Sequence, residues 1–312
     1  MAGFQDRLHL LMAKIETTYG VDPTPTAASN AILVKNVRFT PMNGTDVPRG
    51  IERPWLGAQQ QFPTGLHAQV SFETELVGHA VAGTAPGWGV IARACGLAQV
   101  ASAGVSVAYN PVSEGFESAT LYFHHQGKRY VLRGARGTGT LRLNADQLPA
   151  VEWTMTGLFD LPVDAAIPAA PGFAVFAVPQ VVNKTNTPTF TVNGVAMVMR
   201  SFELSLGNSV AHRSLVNTEE VWIGDRAESL RIQSDAVALA TLNPYLLARD
   251  QTSFAINLVH GIGAGKVVTV NLPSCRLQRP DQSVAPNGIV EWPLTITPLP
   301  TAGNDQFTLT LT

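Results

Sequence analysis

Charge is what this chain has least of. Only 14% of its 312 residues are Asp, Glu, Lys or Arg, against about 25% in an ordinary soluble protein. The two signs nearly cancel, 21 basic against 23 acidic, so no strong attraction to nucleic acid or to an anionic membrane is implied. Two kinds of surface fit so low a fraction. One is rich in neutral Thr, Gln and Asn, and the other is covered by neighbouring subunits.

Cysteine is nearly absent. Cys95 and Cys275 cannot form a disulfide framework, nor can two thiols alone hold a structural zinc ion. Both are expected to be small buried apolar residues. Long hydrophobic runs are missing as well. The longest uncharged apolar stretch, AAIPAAPGFAVFAVP, is broken by Pro168, Pro171 and Pro179, so no membrane-spanning helix is expected. The opening MAGFQDRLHLLMAKIETTYG lacks the basic start and unbroken apolar core of a secretory signal. A cytoplasm-like compartment is the expectation.

Motifs that carry chemistry are also missing. His124 and His125 are adjacent, so on a strand they point to opposite faces and cannot chelate one metal together; a solvent-exposed hairpin end is expected there. His9, His67, His79, His212 and His260 show no HxH or HExxH spacing. HGIGAGKVV lacks the GxxxxGK[ST] of a phosphate loop and reads as a hairpin loop. RGARGTG (133–139) reads as a bend or bulge in a strand. There is no GxSxG elbow, and neither cysteine lies in a reactive-thiol motif. Glu73 and Glu75 share a strand face about 7 Å apart, and Glu152 and Glu291 recur in similar settings. Without a pocket signature these are solvated carboxylates on a sheet. No catalytic, cofactor-binding or metal-binding residues are expected.

What the chain does have is strand alternation. HAQVSFETEL sets Ala68, Val70, Phe72 and Leu76 on one side and Gln69, Ser71, Glu73 and Glu75 on the other, as in a sheet with one buried and one wet face. SATLYFHHQGKRYVLRG predicts a hairpin turning at Gln126–Gly127, and TPTFTVNGVAMVM another at Asn193–Gly194. TGTLRLNAD and VEWTMTG add strands, the latter with Val151, Trp153 and Met155 inward. RSFELSLG, ESLRIQSD, TSFAINLVHG, KVVTVNL, GIVEWPLTIT and DQFTLTLT add more. Helix is minor. Phe4, Leu8, Leu11 and Ile15 have helical spacing, predicting a short amphipathic helix or arm over 4–18. GTAPGWGVIARACG predicts a second, capped by Thr84, with Pro86 in the first turn, Trp88, Ile91 and Cys95 on one face, and Gly96 ending it.

The triplet VEW occurs twice, at Val151–Trp153 and Val290–Trp292, in a chain with only five Trp. Other matches follow in the same order. Trp55–Leu56–Gly57 finds Trp222–Ile223–Gly224, and Phe39 finds Phe202. Pro86, Ala92 and Arg93 find Pro244, Ala248 and Arg249, where Asn243 is placed to cap a helix. Asp146–Gln147 finds Asp281–Gln282. SFETEL against RSFELSL breaks the order and is taken as chance. The reading is a duplicated chain: an N-terminal arm 1–30, a first β domain 31–160, a linker 161–172 and a second β domain 173–312. Trp55, Trp222, Trp153, Trp292, Trp88 and Tyr245 are expected in the repeated cores. The fold class is all-β with minor α, two tandem sandwich or half-barrel domains each flanked by a short helix.

Four stretches carry a resemblance across nearly the whole chain: IETTYGVDPTPTAASNAILVKNV, SFETELVGHAVAGTAPGWGVIARACGLA, NPVSEGFESATLYFHHQGKRYVLRGARGT and GNDQFTLTLT. Together they resemble the major tail tube proteins of long-tailed, non-contractile bacteriophages. Some of that family are shorter, with one tube domain, where this chain carries two. The resemblance implies half-barrels whose sheets join between subunits into a closed barrel around a channel. Rings stack into a tube, assembled in the host cytoplasm and carried in the virion tail. It implies no catalytic residues, cofactor or metal. Its partners would be other copies of the chain, the tape-measure protein and the terminator and tip proteins, with DNA passing through non-specifically and no membrane contact.

Three expectations follow. Two tube domains per chain suit a three-chain, pseudo-hexameric ring, with a six-chain ring as the alternative. Ser71, Glu73 and Glu75 would face the lumen, their acids repelling DNA. The arm 1–30 or the loop near 97–117 would bridge to the next ring. The competing readings are another virion structural protein, such as a capsid-stabilising or baseplate component, and a β-sandwich carbohydrate-binding or adhesin module.

Overall fold

The alternating segments do form strands; among the described residues nineteen strands share one curled antiparallel system and two pair apart from it as a hairpin. A computed structural model describes residues 8–285 and 288–312. The first half contains β1 (His9–Ile15), α1 (Ala27–Asn30), β2 (Ala31–Ile32), β3 (Lys35–Pro48), β4 (Gln61–Glu75), α2 (Gly89–Ala94), β5 (Leu97–Ser102), β6 (Ser106–Pro111), β7 (Ala119–His125), β8 (Lys128–Asn144), β9 (Ala150–Phe159) and β10 (Val163–Asp164). The second contains β11 (Thr189–Val192), β12 (Val195–Ala196), β13 (Met199–Ser205), β14 (Asn208–Leu215), β15 (Thr218–Arg226), β16 (Ser229–Asp235), α3 (Pro244–Asp250), β17 (Phe254–His260), β18 (Val268–Leu277), β19 (Ser283–Val284), β20 (Val290–Pro298) and β21 (Thr308–Leu311).

The two halves follow the same path. In the first, neighbours run β3–β4–β9–β8–β7–β1–β2. In the second they run β13–β16–β20–β18–β17–β11–β12. The correspondence extends outward, since β10 pairs with the start of β8 and β21 with the start of β18. The helices α2 and α3 fall in the same connection of each half. SFETEL and RSFELSL lie on β4 and β13, which occupy different places in that order.

Several local expectations hold. The turns at Gln126–Gly127 and Asn193–Gly194 have positive φ at both positions, the condition for a tight hairpin that follows strand twist. The RGARGTG segment carries a register shift between Arg133 and Arg136. Glu16 anchors that bulge from below. Its buried carboxylate accepts hydrogen bonds from the amides of Gly134 and Gly20, both at 2.7 Å, and from the hydroxyls of Ser118 and Thr120, both at 2.6 Å. Asn243 caps α3 through the Leu246 amide at 3.0 Å. Both cysteines are buried.

Three expectations give way. Residues 9–15 form strand β1, not a helix; seven consecutive pairings with β7 satisfy its backbone and Leu10–Ala13 are buried on both faces. Phe4 lies outside the described residues. Helix α2 begins at Gly89, after a turn, so Thr84 does not cap it and the cap position is Trp88, without a side-chain cap bond. His124 is buried, not exposed, because the backbone at Ala165 and Ala166 comes against its ring.

One apolar core runs through both halves. It joins Phe72, Trp88, Leu141 and Trp153 of the first half to Phe202, Ile232, Leu258 and Trp292 of the second. The halves are also stitched by strand pairing. β13 pairs with the end of β8, and β21 pairs with β6.

Candidate functional site

The β8–β13 seam turns two four-strand sheets into one wall, ordered β3–β4–β9–β8–β13–β16–β20–β18. Because side chains alternate along a strand and align across it, one face can be read straight through the register. Glu73 stands opposite Glu152, and Glu152 opposite Thr140. Arg142 stands opposite Glu203, Glu203 opposite Arg231, and Arg231 opposite Thr295. Ser71, Thr154 and Thr138 form a parallel row. The other face carries Phe72, Trp153, Leu141, Leu204, Ile232 and Leu294, all buried. The wall is therefore polar on one side and apolar on the other across both halves.

Ser71, Glu73 and Glu75 lie together on the polar side, as the alternation of β4 requires. They are not an isolated acidic patch. Lys35 reaches Glu73 at 3.7 Å, and the Asn36 amide donates to the same carboxylate at 3.0 Å. Arg142 pairs with Glu152 at 2.7 Å and lies 3.9 Å from Glu203 across the seam. Glu291 is 2% exposed. It accepts from Arg200 at 2.5 Å and Gln233 at 2.7 Å. The Arg200 hydrogen bond holds its carboxyl below the usual range, aided by Gln233. Lys35 and Arg142 thus stand among the carboxylates of Glu73, Glu152 and Glu203 on this face.

Two hairpins stand off the wall at corresponding places. In the second half β14 and β15 pair with each other between β13 and β16. That hairpin folds over the first half and meets β8, β9 and β4. His212 stacks on His67 with ring centroids 4.8 Å apart. Asn208 donates to the carbonyls of Cys95 at 2.7 Å and Gly137 at 2.9 Å. Arg226 donates to the Gly96 carbonyl, and Arg136 to that of Val221, both at 2.8 Å. In the first half the matching excursion is the outer part of β3–β4, and there residues 41–64 are exposed apart from the half-buried Gln59.

The expected core aromatics divide. Trp88, Trp153 and Trp292 are buried, and the rings of Trp88 and Trp153 lie 6.2 Å apart. Trp153 donates its indole N–H to Thr74 at 2.9 Å. Trp55, Trp222 and Tyr245 are not core, being 66%, 48% and 40% exposed. Parity explains Trp222, because β15 buries Val221 and Ile223 and so turns the residue between them outward. Trp55 lies in the loop between β3 and β4. α3 buries Pro244 and Leu247, which leaves Tyr245 on its outer side. Trp55 and Trp222 thus belong to corresponding hairpins without occupying the same register.

Sequence reading overlooked Arg142, Glu203 and the seam itself. The only signal was that the alternation of β4 fades before Leu66. That marks where a strand leaves its sheet, but not where it goes.

Among the described residues no group of three or more His, Cys, Asp and Glu is placed to hold a metal ion. No helix there is long and apolar enough to cross a membrane. A family model described as phage tail tube protein matches residues 7–311. The chain belongs to that family. Comparison with curated proteins found no match. A tail tube protein is a structural component of the virion tail, not a member of an enzyme family, and a wall of continuous sheet with one wet face suits such a component.

Proposed function

We propose that this tail tube protein assembles into rings of three chains, each half filling one of six quasi-equivalent places in the wall. The units are the domain 31–160, completed by strand β1 of the arm 1–30 through its pairing with β7, and the domain 173–312, joined by the linker 161–172. The β8–β13 seam carries this reading. It is a junction between the far strand of one half and the first strand of the next. Strand β3 holds the same place as β13, yet among the described residues it pairs only with β4. A second copy offering its second half to β3 would repeat the seam, and repetition through a fixed rotation closes a ring. Closure also removes the exposed edge, which would otherwise invite uncontrolled pairing.

In this ring the polar face bearing Ser71, Glu73 and Glu75 lines the lumen. Balanced charge suits a conduit, since phosphate is neither bound by a basic surface nor strongly repelled. Stacked rings then form the hollow tube through which the genome reaches the host, with tape-measure, terminator and tip proteins as partners. The β5–β6 hairpin is tied through β6 to β21 of its own chain. It leaves Val100 and Val105 exposed, as a stacking element at the ring edge would.

A six-chain ring, with the second half decorating the outside, is the alternative. The shared wall argues against it, because the polar face continues across both halves. Electron microscopy of the concentrated protein, with rotational averaging of end views, tests the proposal. Threefold rings with six similar wall segments are expected, and true sixfold symmetry overturns the stoichiometry. A chain that stays monomeric at all concentrations, with partner proteins added, overturns the tube reading.

A further inference from the structure

The two standing hairpins occupy the same place in their halves, but one is seated and the other is not. The register makes the match close. The pair Thr40–Gln69 corresponds to Glu203–Arg231, and five residues further along both strands Thr45–Thr64 corresponds to Asn208–Arg226. The excursions beyond those pairs agree in length to within one residue. The β14–β15 hairpin is zipped to its tip, where Leu215 pairs with Thr218. The β3–β4 arm is zipped only as far as Pro48–Gln61, and it exposes Met42, Val47, Ile51, Trp55, Leu56 and Phe62.

We propose that the β3–β4 arm of one copy seats on the second half of a neighbouring copy, across β18, β20 and β16, as the β14–β15 hairpin seats across β8, β9 and β4. This rests on the ring reading above and specifies its second contact between copies. An apolar cluster of this size on a projecting arm marks a docking surface. The receiving surface is present too. Aligned on the two VEW triplets, Thr156 and Gln69 of the first half correspond to Thr295 and Arg231 of the second. Thr156 lies under the seated hairpin, 8% exposed, whereas Thr295 is half-buried and Arg231 open. Val210 lines one recess with Thr156, His67 and His212. The arm residue in the place of Val210 is Val47, so Val47 of one copy comes to Thr295 of the next.

Cross-linking between chains tests this. Val47→Cys and Thr295→Cys proteins are prepared separately, mixed, assembled and treated with a short bismaleimide; the native thiols are fully buried and do not compete. The expected result is a two-chain product from the mixture that neither variant gives alone. Rings or tubes visible by microscopy without that product overturn the seating and leave the ring standing. A product from the Val47→Cys protein alone also overturns it, because arms would then meet arms. Absence of rings from the unmodified chain defeats the underlying reading instead. A second variant replaces residues 46–63 by an Asn-Gly turn. It should keep the far-ultraviolet spectrum and thermal transition of the parent but lose ring assembly, and normal rings from this variant overturn the proposal.

Discussion

Arg142 and Glu203 face each other in direct register across the seam between the two halves, with the guanidinium 3.9 Å from the carboxylate. The same guanidinium holds Glu152 at 2.7 Å on its other side. Three strands from two halves thus meet at one cation on the polar face. Beneath them, on the apolar face, Leu141 and Leu143 of β8 stand opposite Leu204 and Phe202 of β13. The seam has a wet side and a dry side, and the two differ in what they contribute.

The dry side should dominate stability. Phe202 is fully buried, and Phe202→Ala should cost about 3–5 kcal/mol through lost burial and a residual cavity. Arg142 is 42% exposed in its side chain. Arg142→Gln should therefore cost no more than about 1 kcal/mol, because water screens the pair. Denaturant titration of the two variants measures the difference, and equal losses would assign the seam to its ion pairs.

Glu291 makes acid stability sensitive to one residue. Its carboxyl titrates below the ordinary value because Arg200 donates to the charged form, with Gln233 assisting. A depressed folded-state pKa stabilises the fold above the unfolded value and loses that contribution as pH falls through the folded one. Glu291→Gln should therefore lower the thermal midpoint at neutral pH. The gap should close as the solution is acidified below the usual carboxylate range. A gap that stays constant with pH would mean that the residue acts through packing.

Two tryptophans should separate folding from assembly. Trp153→Ala removes a buried ring and leaves the Thr74 hydroxyl without its indole donor, and should cost about 3–5 kcal/mol. Trp55→Ala removes a ring that is mostly in solvent and should change monomer stability by less than about 0.5 kcal/mol. The same Trp55 variant should assemble poorly, as read by sedimentation of tubes. Normal sedimentation would remove Trp55 from any contact between copies.

Charge reversal on the wall tests which face meets DNA. Glu73→Lys with Glu75→Lys leaves the apolar face untouched and places Lys35 and Arg38 beside new cations. Tubes should still form, but genome release should slow, since a basic lumen retains phosphate. Unchanged infectivity would put the polar face elsewhere.

The β-rich class, the hairpins at Gln126–Gly127 and Asn193–Gly194, the α3 cap at Asn243 and the buried cysteines were legible because each depends on neighbours within a few residues. The VEW echo was legible for the same reason, as both copies lie on strands with matched periodicity. Strand β1 was misread because its apolar residues also fit a helix, and only the backbone partners offered by β7 decide between the two. Trp55, Trp222 and Tyr245 were misread as core because an aromatic side chain in an apolar stretch does not reveal which face it takes.

By itself, then, the sequence determined the alternation that gives every wall strand a wet and a dry face. It also determined the order in which two similar sets of strands follow one another. Those properties are local, set by side-chain polarity at a period of two. Only the tertiary structure decided that β8 and β13 join, so that two polar faces become one. It also decided that lysines and arginines from other strands neutralise Glu73 and Glu152, and that one hairpin is seated while its counterpart stands free. Such outcomes depend on register between segments tens of residues apart, which backbone pairing and core packing select together.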